Sequence, residues 1–208
     1  MDTDNGNDRE LLGIAHKLYD RGEYEKALAA YLHLAERGDV DGQRVVGSMY
    51  NSGTGTAKDL EKAKHWLKLA ADRDDAPSQY LLGLIHWRAR QDDLAFEFFE
   101  KSAGQGYGPG LYRLAICYSL GRGASKNEGK TLALLEEACR KENLRARIEY
   151  AKRLMKGRKG LINIFRGMYL MVLWSLQGYI AIVKNIGDIN YKNLDDIEKK
   201  IDDDRLRY

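Results

Sequence analysis

Residues 46–71 read Val46-Gly47-Ser48-Met49-Tyr50-Asn51-Ser52-Gly53-Thr54-Gly55-Thr56-Ala57-Lys58-Asp59-Leu60-Glu61-Lys62-Ala63-Lys64-His65-Trp66-Leu67-Lys68-Leu69-Ala70-Ala71. Tyr50, Trp66, Leu67 and Ala70 fall at three- and four-residue spacing with their apolar neighbours, which predicts an apolar stripe on each of two helices. Between them, Gly53 and Gly55 supply the positive backbone torsions that a turn joining antiparallel helices requires. Gly47 and Ala63 are small where paired helices must approach closely, because larger side chains would push the backbones apart. The stretch therefore predicts a helical hairpin, with a first helix over 42–50, a loop over 51–59 and a second helix over 60–71.

Similar hairpins recur on both sides. Tyr19 with Gly22, Tyr50 with Gly53, His86 with Ala89, and Tyr118 with Gly121 mark four first-helix ends, and Leu154 with Gly157 marks a weaker fifth. The Gly-type positions lie 31, 36, 32 and 36 residues apart. Small residues near the second-helix ends, Ala35, Ala71, Ala103 and Cys139, lie 36, 32 and 36 apart. A period in this range predicts an all-α fold, a right-handed α-solenoid of about four to five antiparallel helix hairpins, rather than a chain folded around one closed core.

Composition agrees with a helical solenoid. The 208 residues are 44% hydrophobic and 31% charged, enough for a core beneath a solvated exterior. Both prolines, Pro77 and Pro109, stand at predicted helix starts, where a missing N–H is harmless. The net charge of +3 gives no general case for nucleic acid. Its distribution is uneven: Arg140 to Lys159 holds nine basic and two acidic residues, and Gly187 to Tyr208 holds seven acidic and five basic. Cys117 and Cys139 occupy core-like helical positions and predict buried free thiols rather than a disulfide framework. The first eight residues are acidic and polar, without the basic start and apolar run of a secretory signal, and point to a flexible N-terminus and a cytoplasmic protein.

The second and fourth units resemble the Sel-one-like repeat (SLR) family, a subclass of tetratricopeptide-type helical repeats. The resemblance rests on Val46-Gly47, Tyr50, Gly53-Thr54-Gly55, Asp59, Lys62-Ala63, Trp66 and Ala70-Ala71, and again on Tyr118, Gly121-Arg122-Gly123 and Ala138-Cys139. The first and third units lack the Gly-x-Gly loop and are closer to ordinary tetratricopeptide hairpins. The resemblance implies a repeat solenoid over 9–157 that works as an adaptor or scaffold for other proteins, as in bacterial signalling or envelope assembly. It implies no catalytic residue and no cofactor.

In tetratricopeptide-type hairpins the first helices line the concave side, and ligands meet the residues flanking the small position. Carried across by register, those residues are Lys17, Asp20, Arg44, Ser48, Asn51, Tyr80, Trp87, Arg88, Tyr112, Ser119 and Lys152. Tyr80, Trp87 and Tyr112 among Arg and Ser form a candidate hot spot, since aromatics and Arg dominate interface energies. The competing reading packs these rings between adjacent repeats.

The last quarter departs from the repeat. Leu161 to Lys184 contains 17 apolar residues in its first 23, about twice the length of a repeat's second helix, and 187–208 forms a charged tail. The apolar segment, placed in a C-terminal helix over 158–186, suits three roles: closing the solenoid, pairing with a partner or a second copy as a homodimer, or meeting a membrane. Lys152, Arg153, Lys156, Arg158 and Lys159 precede it, as the positive-inside rule places on a cytoplasmic face. Asn163, Arg166, Gly167, Gln177, Gly178 and Lys184 fall roughly along one stripe, as in a helix packed on one side.

Catalysis finds little support. His16, His33, His65 and His86 are scattered without a second ligand at helical spacing, and no His-Glu-x-x-His or Cys-x-x-Cys occurs. Both Gly-x-Gly loops follow helices rather than strands and lack the Lys-Ser/Thr of a phosphate cradle. The basic stretch has Tyr150 as its one aromatic, so it lacks a stacking platform for nucleic acid. The chain thus reads as a non-catalytic scaffold that binds a protein or peptide on its concave face. Two alternatives remain: a membrane-associated assembly or signalling factor anchored through 161–184, and an inhibitory or immunity-type partner.

Overall fold

A computed structural model of the chain describes residues 3–156, 167–169 and 172–175. Among the described residues there are nine helices: α1 (Thr3–Asp20), α2 (Tyr24–Glu36), α3 (Val40–Ser52), α4 (Leu60–Ala71), α5 (Ala76–Arg88), α6 (Asp92–Gly104), α7 (Gly108–Leu120), α8 (Glu128–Arg140) and α9 (Leu144–Lys156). Helices pair in chain order as α1 with α2, α3 with α4, α5 with α6 and α7 with α8, and each pair packs on the next. Residues 1–149 and 150–208 form separate compact units, divided within α9. The first unit is the all-helical solenoid that the spacing predicts.

Two loop lengths alternate. Three-residue turns, 21–23 and 89–91, close the first and third hairpins, whereas seven-residue loops, 53–59 and 121–127, close the second and fourth. Gly53 and Gly121 end their helices in the left-handed conformation at φ 81° and 71°, each donating its N–H back to the carbonyl four residues earlier. The second loop glycine has a different task. At Gly55 a Cβ would sit 2.5 Å from the Tyr24 carbonyl oxygen, and at Gly123 it would run into the Asp92 carbonyl oxygen. Each long loop therefore lies directly on the main chain where the previous hairpin's second helix begins.

The third turn corrects one detail of the sequence register. Ala89, placed there as a Gly-type residue, has φ −77°, and the left-handed residue is Arg90 at φ 60°. An L-residue with a Cβ resists this conformation, but the turn needs one left-handed residue, and it falls one position further on. Gly22 and Arg90 are then equivalent, 68 residues apart, as are Gly53 and Gly121.

Side-chain packing follows the same register. Tyr31, Leu67, Phe99 and Leu135 occupy one position of the four second helices and are all essentially inaccessible. Opposite them on the first helices stand Ala15, Gly47, Gly83 and Ala115. A Cβ on Gly47 would come within 2.6 Å of Leu67 Cγ, and one on Gly83 within 2.5 Å of the Phe99 ring. Each large side chain fills the notch its small partner leaves, which is how helical pairs reach crystal-like packing density.

Polar groups add specificity between hairpins. Buried Gln43 donates from Nε2 to the Ala35 carbonyl at 3.2 Å, and buried Gln79 does the same to Ala71 at 3.3 Å, satisfying carbonyls at the ends of α2 and α4. Helix starts are capped by Asp39, Asp59, Asp75 and Asn127, whose side chains accept backbone N–H groups of the first turn. The N-terminal stretch expected to be flexible is helical from Thr3, and the Asp8 carboxylate lies 3.3 Å from Arg37 Nε.

In the second unit, Gly167 is buried against α9: a Cβ there would lie 2.7 Å from Met155 Cγ and 2.9 Å from the Ala151 carbonyl oxygen. Residues 167–169 and 172–175 are helical. The rest of the expected helix over 158–186, Gly157, and the tail over 187–208 lie outside the described residues. Among the described residues no helix is long and apolar enough to cross a membrane.

Candidate protein-binding groove

First helices of successive hairpins touch one another, α3 with α5 and α5 with α7, and so form an inner layer of the solenoid unit. On this layer His16 and Tyr19 of α1, Tyr31 of α2, Leu81 of α5, and Arg44, Val45, Ser48, Met49 and Ser52 of α3 line a cavity of about 310 Å³. Tyr31 and Met49, 1% and 2% exposed, give it an apolar floor. Polar groups stand over that floor: the His16 ring, the Tyr19 hydroxyl, Ser48, Ser52 and the Arg44 guanidinium.

Electrostatics fix the most highly charged of these. Arg44 Nη1 donates to the Asp75 carboxylate at 2.6 Å, and Nη2 contacts Asp41. Burial opposes its charge, but Asp75 and Asp41 outweigh that penalty and hold the guanidinium above its ordinary pKa. Asp75 also caps α5, so one carboxylate ties the rim of the cavity to the next hairpin. Tyr31 stays neutral, its phenol pushed up to about 12 mainly by burial, with Asp20 and Tyr19 adding to the effect.

Of the eleven residues chosen by register, Arg44 and Ser48 line this cavity. Lys17 and Asp20 are exposed on α1, one to two residues from the cavity-lining His16 and Tyr19. Asn51, next to the lining Ser52, is half-buried, and its Oδ1 is buried without a hydrogen-bond partner. Farther along, Arg88 and Lys152 are exposed and Ser119 is half-buried.

The aromatic trio is split. Tyr80 meets Tyr107 edge-on at 5.7 Å and shares Phe99 with Trp87, each ring 6.2 Å from it. Among the described residues no ring pair joins Tyr112 to either; Arg113 lies 5.9 Å from its centroid. Trp87 is clamped from the following hairpin: the Arg122 guanidinium carbon lies 3.4 Å from its ring centroid and Nη2 donates to its carbonyl at 3.2 Å. Arg122 Nε also donates to Asp92 at 2.9 Å. These contacts bind neighbouring hairpins to one another, as the packing alternative expects of such rings.

Register positions 44 and 80 bridge to the next hairpin with changing chemistry. The Arg44–Asp75 ion pair becomes the Tyr80–Tyr107 ring pair one hairpin later, at equivalent positions. The cavity residues that register did not select (His16, Tyr19, Tyr31, Val45, Met49, Ser52 and Leu81) are repeat-core or flanking positions. The apolar character of Tyr31, Val45, Met49 and Leu81 was visible in the sequence, but the gap among them was not, because it depends on where three hairpins leave space.

Among the described residues no group of three or more His, Cys, Asp or Glu side chains is placed to hold a metal ion. The arrangement offers a shaped, partly apolar recess with fixed polar rim groups, which suits holding a protruding side chain of a partner.

Comparison with known proteins identifies the repeat. The family model described as Sel1 repeat matches three consecutive stretches, 40–75, 76–107 and 108–143. A sel1-like repeat-containing protein of Acanthamoeba polyphaga mimivirus is 34% identical over 84 residues, which cover 40% of this chain and 16% of that protein. The chain thus spans a small part of that relative's length. The fold is similar to the crystal structure of a Sel1 repeat protein from Oxalobacter formigenes, with TM-score 0.74 at 20% identity, covering all of this chain and 91% of that one. It is also similar to a protective antigen of uropathogenic Escherichia coli strains that displays an SLR fold, with TM-score 0.70 at 22% identity, covering 82% of this chain and 38% of that one.

Proposed function

This chain belongs to the Sel1 repeat family, and we propose that it is a non-catalytic scaffold whose inner surface holds one partner protein through the cavity between α1, α3 and α5. Proteins of this family generally serve as interaction scaffolds, and that much carries over with membership. The finer assignment rests on the 310 Å³ recess with its apolar floor. A partner's aliphatic or aromatic side chain enters it, while Lys17, Asp20, His16, Ser48 and Asn51 meet polar groups around the anchor. Arg44 sets the rim rather than acting as a mobile charge, because its two carboxylate partners already occupy it. Tyr112, Arg88 and Ser119 extend the contact surface, and Tyr80 and Trp87 contribute by keeping successive hairpins in place.

Packed hairpins keep the recess formed before the partner arrives, which lowers the ordering cost of association. Affinity purification of the intact chain from its source cells, with Ser48→Trp as comparison, tests the reading. The indole fills the recess from a half-buried position. Partner capture should fall more than tenfold while the unfolding transition stays in place, and the partner should protect residue 48 from photo-crosslinking to water when a photoreactive side chain is placed there. Undiminished capture by a folded Ser48→Trp chain overturns the assignment.

A further inference from the structure

The inner layer of the solenoid unit changes character along its length. On α1 and α3 charges of both signs occur, and Arg44, the arginine of the cavity lining, is held by two carboxylates. Helices α5 and α7 carry Arg88 and Arg113 and no Asp or Glu. Register puts both arginines on the face that lines the cavity: Arg113 is the equivalent of Val45 and Leu81, and Arg88 of Ser52. On the same face Leu84 and Ile116 stand where α3 has Ser48, and Leu120 stands where it has Ser52. Hydroxyls thus give way to apolar side chains, and Leu120 is 52% exposed.

Charge names the occupant of this face. Ion pairs engage Arg37, Arg44, Arg122 and Arg140, but among the described residues none engages Arg88 or Arg113. Glu149, at the register of Arg113 on α9, has partners of its own. Arg113 is half-buried, and its Nε is buried without a hydrogen-bond acceptor. A buried donor left unmet is a cost that folding alone does not recover. A carboxylate recovers it best, because its two oxygens match the guanidinium edge and bring the opposite charge. A basic segment would be repelled by both arginines.

We propose that α5 and α7 bind an acidic segment of the partner protein, with one carboxylate on Arg113, a second on Arg88, and a large apolar side chain between them against Leu84, Ile116 and Leu120. This rests on the groove holding a partner protein and supplies that partner's chemistry. The spacing of the acids follows from the helices. Arg88 lies seven residues beyond the register of Arg113, about 10 Å along the axis, and neighbouring helix axes stand about 9 Å apart. An extended chain crossing that diagonal covers it in about four residues.

Panning a displayed library of random peptides, about twelve residues long, on the full chain tests this. Enriched peptides should carry two Asp or Glu about four residues apart with a large apolar residue between them. Binding of the enriched peptide, followed by fluorescence anisotropy, should weaken about tenfold with Arg113→Gln and about threefold with Arg88→Gln, and should weaken further as salt is added. The unfolding midpoint of Arg113→Gln should be unchanged or higher, since the buried Nε has no acceptor to lose; Arg88→Gln, at an exposed position, gives a second reading in an undisturbed fold. Panning on Arg113→Glu should lose the preference for acids. Peptides without that preference, peptides indifferent to both arginines, or no enrichment at all overturn the proposal. So does a single-stranded oligonucleotide of about twenty nucleotides that binds as tightly and with the same dependence on Arg113, since the arginines then read phosphate. Ser48→Trp keeps the two readings apart: acidic peptides that depend on the arginines but ignore Ser48→Trp support this site and remove the cavity anchor alone.

Discussion

At Arg90 the chain holds a left-handed residue that carries a side chain, in the place where the equivalent turn of the first hairpin has Gly22. A Cβ in that conformation costs about 1 kcal/mol relative to glycine. Arg90→Gly should therefore raise stability by up to that amount, read as a shift of the urea midpoint without a change in slope. Two residues on, Asp92 is held below the ordinary carboxylate pKa, chiefly by the hydrogen bond Arg122 donates; burial opposes this, and the charges of Arg122 and Arg90 add to it. A lowered carboxylate pKa stabilises the fold above the unfolded value near 4 and is lost as pH falls through the folded one. Arg122→Gln should bring the Asp92 titration, followed by NMR of its carboxyl carbon, back up towards the ordinary value, and should free the Trp87 ring. Sequence alone could place a turn here but not its left-handed residue. Gly is the cue for that conformation, and at 89–90 neither residue is glycine, so Ala89 was read as the nearest small substitute.

Element boundaries were more legible. Helix α4 runs from Leu60 to Ala71 as the pattern predicts, because Asp59 starts it by accepting the N–H groups of Glu61 and Lys62 at 3.1 and 3.0 Å. Asp59→Ala should cost about 1 kcal/mol, measured by thermal unfolding, with Asp59→Asn nearly neutral. The two-helix hairpins were equally readable, since their apolar stripes repeat and their long loops announce themselves by paired glycines. Helix α1 was less so. It extends to Thr3 through a polar segment with no apolar period, and a stripe-based reading does not register the approach of Asp8 to Arg37 within it. Of the residues that line the cavity, the register had selected Arg44 and Ser48. It missed the cavity floor, because a void is a property of three elements together and no single helix carries its signature.

Across the whole solenoid unit the same register governs chemistry that has nothing to do with partners. Burial pushes the Cys117 thiol up to about 12 and the Cys139 thiol up to about 11, so neither is a thiolate near neutrality. Labelling with a thiol-specific disulfide reagent at pH 8 should be slow for the folded chain and complete on unfolding. Cys117 is buried, whereas Cys139, expected from the sequence to be buried too, is half-buried, so any native-state reaction should begin at Cys139. Hairpins that touch only their neighbours also pass strain along the chain, and the long loops are where it is least adjustable. Gly47 faces the flexible end of Leu67, whereas Gly55 faces the main-chain carbonyl of Tyr24. Genetics should distinguish these two sites: second-site suppressors of Gly47→Ala can arise by trimming Leu67, but no exchange of side chains removes a peptide oxygen, so revertants of Gly55→Ala should carry insertions or deletions in residues 53–59 instead.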